Sequence, residues 1–402
     1  MNVICVGELF PYHLLQEIDR LGSYVDYASY TFQTALVAGL DYWYPDMRVL
    51  SSMRVDSYPK VNRIVFNPEL YSHNNKEEKQ DIFIGFINLP FIKRISKFIR
   101  LRSNLKSMLK EDNQNIVIMY SVNSPNVLAL ATLRHRVKRS CLIVPDLPEY
   151  MSDNKSLYYR LAKRIDRFFI DWAIKRIDSF ALLSPHMAEK LPLKGKEWRQ
   201  LEGIFHEERE SLSEPMVHNN RDLKAILYTG VLGERYGIID LLNAFSKIKA
   251  PNYRLWIRGN GECKDVVLQR AKIDSRIVYY NAMSKPELLR LQSAATILVN
   301  PVKGSQEFTR YFFPSKTMEY LASGTPVLMY HLPCIPKEYD DYLHYFENET
   351  EEEMVNKITW LCEQSDEERN TFGEKASFFV RTKKNEVSQT HIIVDLLKTE
   401  LE

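Results

Sequence analysis

The amino-acid sequence predicts an α/β protein made of two doubly wound units, and three observations lead to this prediction. Short apolar segments typical of buried strands alternate with helical stretches in both halves of the 402 residues. A polar segment without apolar periodicity, residues 205–223, separates the halves. The chain is 45% hydrophobic and 26% charged, so it can bury large cores.

The strands predicted in the first half are apolar runs of β-branched character. They are MNVICVGEL at the start, NIVIMYS at 115–121, SCLIVPD at 140–146 and SFALLS at 179–184. Runs of this kind are typical of parallel strands that are covered on both faces. Between them, helical spacing predicts an apolar stripe that contains Phe91, Ile95, Phe98, Leu105 and Leu109.

The second half repeats the alternation of strand and helix, with clearer boundaries between the elements. Its predicted strands are KAILYTG at 224–230, YRLWIRGNG at 253–261, SRIVYYNAM at 275–283, ATILVNPV at 295–302 and TPVLMYH at 325–331. We place the domain boundary near residue 218, in the polar segment, which gives domains 1–218 and 219–388. The last segment, 389–402, contains a predicted closing helix at 390–401.

Charge and cysteine content exclude several classes of function. A net charge of +2 is too small for a typical nucleic-acid-binding domain. The five cysteines are far apart and form no CxxC, which argues against a disulfide framework or a zinc site and favours a reducing cytoplasm. The first residues lack the basic region of a signal peptide, and no apolar run is long enough to span a membrane.

The segment FFPSKTMEYLASGTPVL predicts a short helix from Pro314 to Ser323. Ser315, Lys316 and Glu319 lie on its polar side. The amide groups at a helix start, together with a lysine, favour a phosphate, whereas the carboxylate one turn later suits neutral hydroxyl groups such as those of a ribose. The alternative is an exposed ion pair between Lys316 and Glu319 without a ligand.

These residues resemble a known family. The order LYTGVLGERYGIIDLLNAF, LWIRGNGE, RIVYYNAMSKPELLRLQSAATILVNP and FFPSKTMEYLASGTPVL resembles the C-terminal domain of family 4 retaining glycosyltransferases of the GT-B fold, over about residues 224–385. The first half is more loosely similar to the acceptor-side domain of bacterial polysaccharide enzymes, through ICVGELFP, TFQTALVAGL, LIVPDLPEYM and RIDSFALLSPHMAEKL.

The resemblance implies two Rossmann-like domains that face a cleft, a nucleotide-diphosphate sugar held by the second domain, and a final helix that packs back on the first. In such families the position of Glu319 holds the ribose and that of Lys316 meets the diphosphate. Two departures stand out. Tyr311 occupies the position of the sugar-facing glutamate, with Glu307 four residues earlier, and Val231 replaces the arginine after the first glycine turn, which leaves Arg235 as the nearest substitute.

Other residues complete the predicted donor site. Gly233, Ser315 and Thr317 belong to it by their place in the matched motifs. In RGNGE, Arg258 and Gly259 either contact the donor or form a structural turn.

Met283 in NAMSK would lie at the edge of the nucleotide base of the donor. The adjacent Ser284 with Glu287 is equally a plain capping box.

In the first half, Asp146 and Glu149 follow a strand, where a carboxylate can hold or deprotonate an acceptor hydroxyl. We assign Asp146 as the catalytic candidate, and the alternative is a turn stabilised by Asp and two prolines. His13 is a weaker candidate, because a lone histidine is more often incidental.

Two basic clusters, 93–110 and 159–176, place Lys and Arg beside apolar residues at helical spacing. They are either solvated faces of amphipathic helices or surfaces that dock on an anionic membrane.

We therefore predict a cytoplasmic glycosyltransferase, peripheral at the inner face of the plasma membrane if the basic clusters dock there, that builds polysaccharide on a glycan or lipid-linked acceptor. It uses a nucleotide sugar as substrate and needs no cofactor and no metal, because the sequence has no DxD pair after a strand. Lys316 and Arg235 would stabilise the departing diphosphate. The alternatives are a GT-B protein that binds a nucleotide or a partner without catalysis, and a nucleotide-sugar epimerase.

Overall fold

The computed structural model describes residues 1–21, 27–74, 77–112, 114–147, 157–207 and 222–398, with the backbone alone for Asp19 and residues 157–163. Contacts divide the chain into two compact units, Met1–Ile204 with Glu386–Glu402, and Phe205–Asn385. The boundary predicted near residue 218 lies outside the described residues.

The first unit is built on a mostly parallel sheet. Its strands are β1 Asn2–Gly7, β2 Arg48–Ser51, β3 Val65–Phe66, β4 Glu69–Tyr71, β5 Asp81–Phe83, β6 Phe86–Ile87, β7 Asn115–Tyr120, β8 Arg139–Val144, β9 Ser179–Leu182 and β10 Glu197–Gln200. Among the described residues, eight of them form one sheet in the order β10-β9-β8-β7-β1-β2-β5-β4, while β3 pairs with β6. Only β4 runs antiparallel in that sheet. The predicted buried parallel strands of the first half are confirmed.

Helices cover this sheet and include the last helix of the chain. They are α1 Tyr12–Arg20, α2 Tyr27–Trp43, α3 Ile92–Met108, α4 Ser124–Thr132, α5 Leu157–Ile174 and α12 Glu386–Lys398. The α12 side chains Ile393, Leu396 and Leu397 join the core of the first unit. A Cβ atom at Gly39 in α2 would lie 2.2 Å from the Glu386 carbonyl oxygen, so glycine permits this close helix packing.

The predicted apolar stripe of α3 is only half buried, which corrects the sequence interpretation. Leu105 and Leu109 lie in the core. Phe91 and Ile95, at the other end, are exposed. Helical spacing identifies a stripe, but the packing of the sheet decides which residues it covers.

The second unit is a parallel α/β sheet. Its strands are β11 Lys224–Val231, β12 Tyr253–Asn260, β13 Ile277–Tyr280, β14 Ile297–Asn300, β15 Val327–Tyr330 and β16 His344–Phe346. Its helices are α6 Ile238–Lys247, α7 Lys264–Ile273, α8 Lys285–Ala294, α9 Lys316–Ala322, α10 Glu351–Glu363 and α11 Asp366–Lys383. The strand order in the described residues is β13-β12-β11-β14-β15-β16, with every pair parallel. The carboxyl ends of these strands therefore meet at one edge, where open α/β sheets bind ligands.

Candidate functional site

The central strands of the second unit bring several predicted site residues to the carboxyl edge of the sheet. In the register of β11 and β12, Thr229 pairs with Arg258 and Gly230 pairs with Gly259. The turn that contains Gly233 and the RGNGE turn are therefore neighbours. Both turns lie at the edge where the strands end.

Lys316 is the best-defined part of this site. Its side chain is half-buried at the start of α9, and Nζ donates to the Thr229 carbonyl oxygen at 3.0 Å. The ammonium also lies 4.4 Å from the centroid of the Tyr228 ring. Among the described residues it has this one hydrogen-bond acceptor, although an ammonium has three N–H donors.

Burial lowers the pKa of the Lys316 ammonium to about 7, and the nearby Glu319 carboxylate opposes this shift. A half-buried positive charge with one neutral hydrogen-bond acceptor is poorly stabilised. An anion that enters the site would supply the missing charge partner. The arrangement therefore favours a ligand such as a phosphate.

Tyr320 holds the same Thr229 carbonyl oxygen, because its hydroxyl donates to that oxygen at 3.2 Å. The Thr229 amide donates to the Tyr320 hydroxyl oxygen at 2.8 Å, and Tyr320 is fully buried. Burial raises the pKa of the Tyr320 phenol to about 12, so this group stays neutral. The sequence interpretation missed Tyr228, Thr229 and Tyr320, although they lie in or beside the quoted motifs.

Glycine is required beside the lysine. Gly230 has φ +143°, and a Cβ atom there would lie 2.6 Å from Lys316 Nζ. A Cβ atom at Gly259 would lie 1.8 Å from the Gly230 carbonyl oxygen. The close approach of two strands thus accounts for Gly259 without a ligand, whereas Gly230 makes room for the lysine.

Glu319 lies half-buried one turn after the lysine. The alternative of an exposed ion pair is not what the structure shows. Lys316 and Glu319, both described, form no ion pair, and no hydrogen bond is present at the Glu319 carboxylate within the described chain. The carboxylate can therefore accept hydrogen bonds from hydroxyl groups of a ligand.

The start of α9 differs from the prediction. The helix begins at Lys316 rather than Pro314, and Ser315 is exposed without a capping hydrogen bond from its side chain. The Thr317 amide already donates to the Pro314 carbonyl oxygen at 2.9 Å. The Thr317 side chain is 1% exposed, so its predicted place in the donor site does not bring its hydroxyl to the surface. Helix amides therefore contribute less to an anion site here than Lys316 does.

Arg235 and Glu307 lie on neighbouring turns. The exposed Arg235 guanidinium lies 4.5 Å from the centroid of the Phe308 ring, and Gln306 Nε2 donates to the Arg235 carbonyl oxygen at 2.9 Å. Glu307 is exposed at the start of a short 3-10 turn, Glu307–Arg310. The structure therefore brings the turn of Arg235 next to the loop of Glu307.

The remaining predicted donor residues have less defined surroundings. Arg258 is half-buried in β12, and Met283 is half-buried between β13 and α8. Ser284 and Glu287 form the capping box of α8, as the plainer interpretation predicted. Tyr311 is buried and offers no carboxylate, and Val231 is exposed at the end of β11.

In the first unit, the predicted acceptor-side residues are only partly described. Asp146 is exposed after β8, and Glu149 lies outside the described residues. His13 on α1 pairs with Glu69 at 3.2 Å near the surface.

The sequence interpretation missed Glu8, which follows β1. Its side chain is 9% exposed, and Oε1 accepts a hydrogen bond from Asn123 Nδ2 at 3.3 Å. It lines a recess together with Ser29, Tyr30 and Arg54. A glutamate directly after a predicted strand was the available signal.

No group of three or more His, Cys, Asp or Glu side chains in the described part of the chain is placed to bind a metal ion. None of the helices described is both long and apolar enough to cross a bilayer.

Residues 224–364 match the family described as Glycosyl transferases group 1. The chain carries a glycosyltransferase domain. This domain includes β11, β12 and α9, and hence the Lys316 site. No curated protein matches the chain by sequence.

Solved structures resemble the whole chain. Sucrose-phosphate synthase from Thermosynechococcus elongatus has 14% identity and a TM-score of 0.63, with 99% of each chain covered. The lipopolysaccharide outer core galactosyltransferase WaaB has 13% identity and a TM-score of 0.62, with 100% of each covered. Trehalose-6-phosphate synthase, studied for glycosyl transfer with retention, has 9% identity and a TM-score of 0.64, with 100% of each covered. At these identities the similarity establishes the fold, so the predicted GT-B class is confirmed.

Proposed function

We propose that this glycosyltransferase moves a sugar from a nucleotide diphosphate to a glycan or lipid-linked acceptor in polysaccharide biosynthesis, with retention at the anomeric carbon and without a metal ion. The observation that carries the proposal is the Lys316 ammonium. It is half-buried, has one neutral hydrogen-bond acceptor among the described residues and lies beside a glycine, inside a glycosyltransferase domain.

In this proposal, Lys316 contacts the diphosphate with the N–H groups that Thr229 does not use. Glu319 accepts hydrogen bonds from the ribose hydroxyls, one helical turn away. Arg235 stabilises charge on the leaving diphosphate from the exposed turn that it shares with Gly233. Gly259, Arg258, Met283 and Glu307 border the donor.

The reaction breaks the bond between the anomeric carbon and the diphosphate oxygen and forms a bond from that carbon to the acceptor oxygen. The acceptor proton passes to a phosphate oxygen of the donor, so the products are the glycoside and the nucleoside diphosphate. Lys316 and Arg235 stabilise the charge that develops on the leaving group. Asp146 of the first unit holds the acceptor hydroxyl. Retention is supported by the family resemblance and by the fold shared with trehalose-6-phosphate synthase.

Isothermal titration of UDP and GDP into the wild-type chain and the Glu319→Ala variant tests the donor site. We expect one nucleotide to bind the wild type and the variant to bind it about tenfold more weakly, because a hydrogen bond to a charged group is lost. Equal binding by both proteins would remove the role assigned to Glu319.

A second candidate function is nucleotide binding without catalysis, which the buried Tyr311 and the exposed Val231 favour. The assay is a panel of nucleotide sugars with and without a membrane extract that supplies acceptors. Transfer that requires the extract supports the proposal. Turnover without acceptor indicates an epimerase, and binding without any turnover indicates the non-catalytic protein.

The proposed place of action is the cytoplasmic side of the plasma membrane. The shared fold with a lipopolysaccharide galactosyltransferase and the basic clusters on α3 and α5 support this part of the proposal.

A further inference from the structure

We propose that the first unit docks on an anionic lipid bilayer through one surface, with Phe91 as its main apolar anchor. This surface, the α3–α5 face, consists of the exposed side chains Phe91, Ile92, Ile95, Ile99, Ile165, Phe168 and Phe169. The inference deepens the peripheral location in the proposed function and rests on that part alone, since lipid binding requires no catalysis.

On α3 the exposed and buried residues lie on opposite sides. At about 100° per residue, Ile92, Ile95 and Ile99 form one stripe, roughly opposite the fully buried Leu101 and Leu105. The helix therefore has two apolar sides, and the first unit covers one of them. An apolar stripe left open over two turns is typical of a surface that meets a partner or a membrane.

On α5 the same division recurs. Ile165, Phe168 and Phe169 are exposed, while Ile170 and Ile174 are buried. The two exposed stripes belong to one surface, because Arg94 Nη1 on α3 pairs with Asp166 Oδ2 on α5 at 3.0 Å.

Phe91 has a backbone conformation that its own packing does not explain. It is 92% exposed, with φ +65° and ψ −47°. The Ile92 amide donates to the Pro90 carbonyl oxygen at 2.7 Å, which closes a strained γ-turn around it. Glycine, which has no Cβ atom, would suit this turn better. A large ring held in an unfavourable turn and pointed at solvent indicates a contact outside the chain.

The charges around the face select an anionic partner. Helix α3 contains Lys and Arg but no Asp or Glu. The acidic residues in the part of α5 with described side chains, Asp166 and Asp171, are both paired with arginines. The same two helices carry the exposed basic side chains Arg94, Lys106 and Arg164, and Lys175 and Arg176 follow directly after α5.

Exposed apolar side chains with Lys and Arg on the same helices suit the boundary between anionic headgroups and acyl chains, where the apolar groups enter the acyl region and the basic groups meet the headgroups. A second copy of the chain would instead place like charges against each other. The bilayer is therefore the occupant that both the apolar and the charged residues fit.

The test is co-sedimentation of the full chain with vesicles of phosphatidylcholine, with and without about one-third phosphatidylglycerol. The variant is Phe91→Asn, because it removes the ring and, like phenylalanine, keeps a Cβ atom at this position. The matched control is Phe378→Asn, which removes a 69% exposed phenylalanine from α11 in the second unit.

We expect wild type and the control to bind the anionic vesicles, more weakly as salt rises, and Phe91→Asn to bind about ten- to a hundredfold more weakly. Nucleotide binding should be equal in all three proteins, so failure here leaves the donor site untouched. Equal vesicle binding by Phe91→Asn and wild type, or no binding by wild type, would overturn the inference. So would light scattering that shows a wild-type dimer and a monomeric Phe91→Asn variant, since the face would then join two copies.

Discussion

Lys97 in the first unit and Lys316 in the second have almost the same immediate surroundings. Each ammonium donates to a main-chain carbonyl oxygen and lies 4.4 Å from the centroid of an aromatic ring, that of Phe86 or of Tyr228. Burial lowers the pKa of each to about 7, and a glutamate opposes the shift in both cases. Basicity alone therefore does not distinguish a ligand-binding lysine from a structural one.

The difference between them is access. Lys97 is 8% exposed on the packed side of the long helix α3. Lys316 is half-buried at the start of a short helix, and its Nζ lies beside Gly230 at the carboxyl edge of the sheet. A lysine that a ligand can reach gains a charge partner when the ligand binds. An enclosed lysine gains none, so the free-energy cost of burying its charge is not offset. The same substitution should therefore impair nucleotide binding at Lys316 and leave it unchanged at Lys97.

The largest difference is expected between the methionine variants of the two lysines. Lys316→Met should slow glycosyl transfer about 10–100-fold and weaken nucleotide binding, because a charge-assisted contact with the diphosphate is worth roughly 1.5–3 kcal/mol. Lys97→Met should leave the nucleotide affinity unchanged. Transfer assays and titration calorimetry on both variants measure the rate and the nucleotide affinity. Equal losses in the two variants would contradict the distinction between a ligand-binding Lys316 and a structural Lys97.

Gly230→Ala should weaken nucleotide binding about tenfold, because the new methyl group displaces Lys316 Nζ from its position. The control is Gly195→Ala, at φ +75° with no atom within 4 Å of the added Cβ. Both variants carry the strain of a side chain at positive φ. If both bind nucleotide like the wild type, the space beside Lys316 is not part of the donor site.

Glu319→Gln should have a smaller effect that depends on the sugar of the nucleotide. The wild type should bind a ribonucleoside diphosphate roughly fivefold more tightly than its 2′-deoxy analogue, and the variant should lose this preference, since a neutral amide oxygen is the weaker acceptor. Calorimetry with both ligands gives the ratio. A preference unchanged in the variant would place the ribose elsewhere.

The smallest effect concerns stability. An unfolded lysine has a pKa near 10.5 and each buried one about 7, so between these values the unfolded chain binds more protons and stability rises with pH. Lys97→Met and Lys316→Met should each reduce that rise. Urea unfolding at about pH 7 and 9 gives the change in the free energy of unfolding with pH for each protein. A slope unchanged in Lys97→Met would mean that its amine is not desolvated.

The strands and the fold class were predictable because parallel strands are continuous apolar runs, which local sequence reveals. Lys316 and Glu319 were also identifiable, since they share the start of one helix. The partner of Lys316 was not, because Thr229 lies 87 residues away and meets it only through the tertiary fold.

The surface of the first unit shows the same limit. Helical spacing around Phe91 and Ile95 indicated an apolar stripe on α3, yet the fold leaves these two residues exposed. Periodicity reports that a face is apolar, and the covering elements decide whether the protein itself buries it.

The most direct test is the proton balance of nucleotide binding at about pH 7.5, measured by calorimetry in buffers of different ionisation enthalpy. If the Lys316 ammonium pairs with the diphosphate, the wild type should take up about half a proton or more on binding, because the free lysine has a pKa of about 7 and the bound one is fully charged. Lys316→Met should lose this uptake together with most of its affinity. The same uptake and affinity in both proteins would contradict the role of Lys316 in holding the donor.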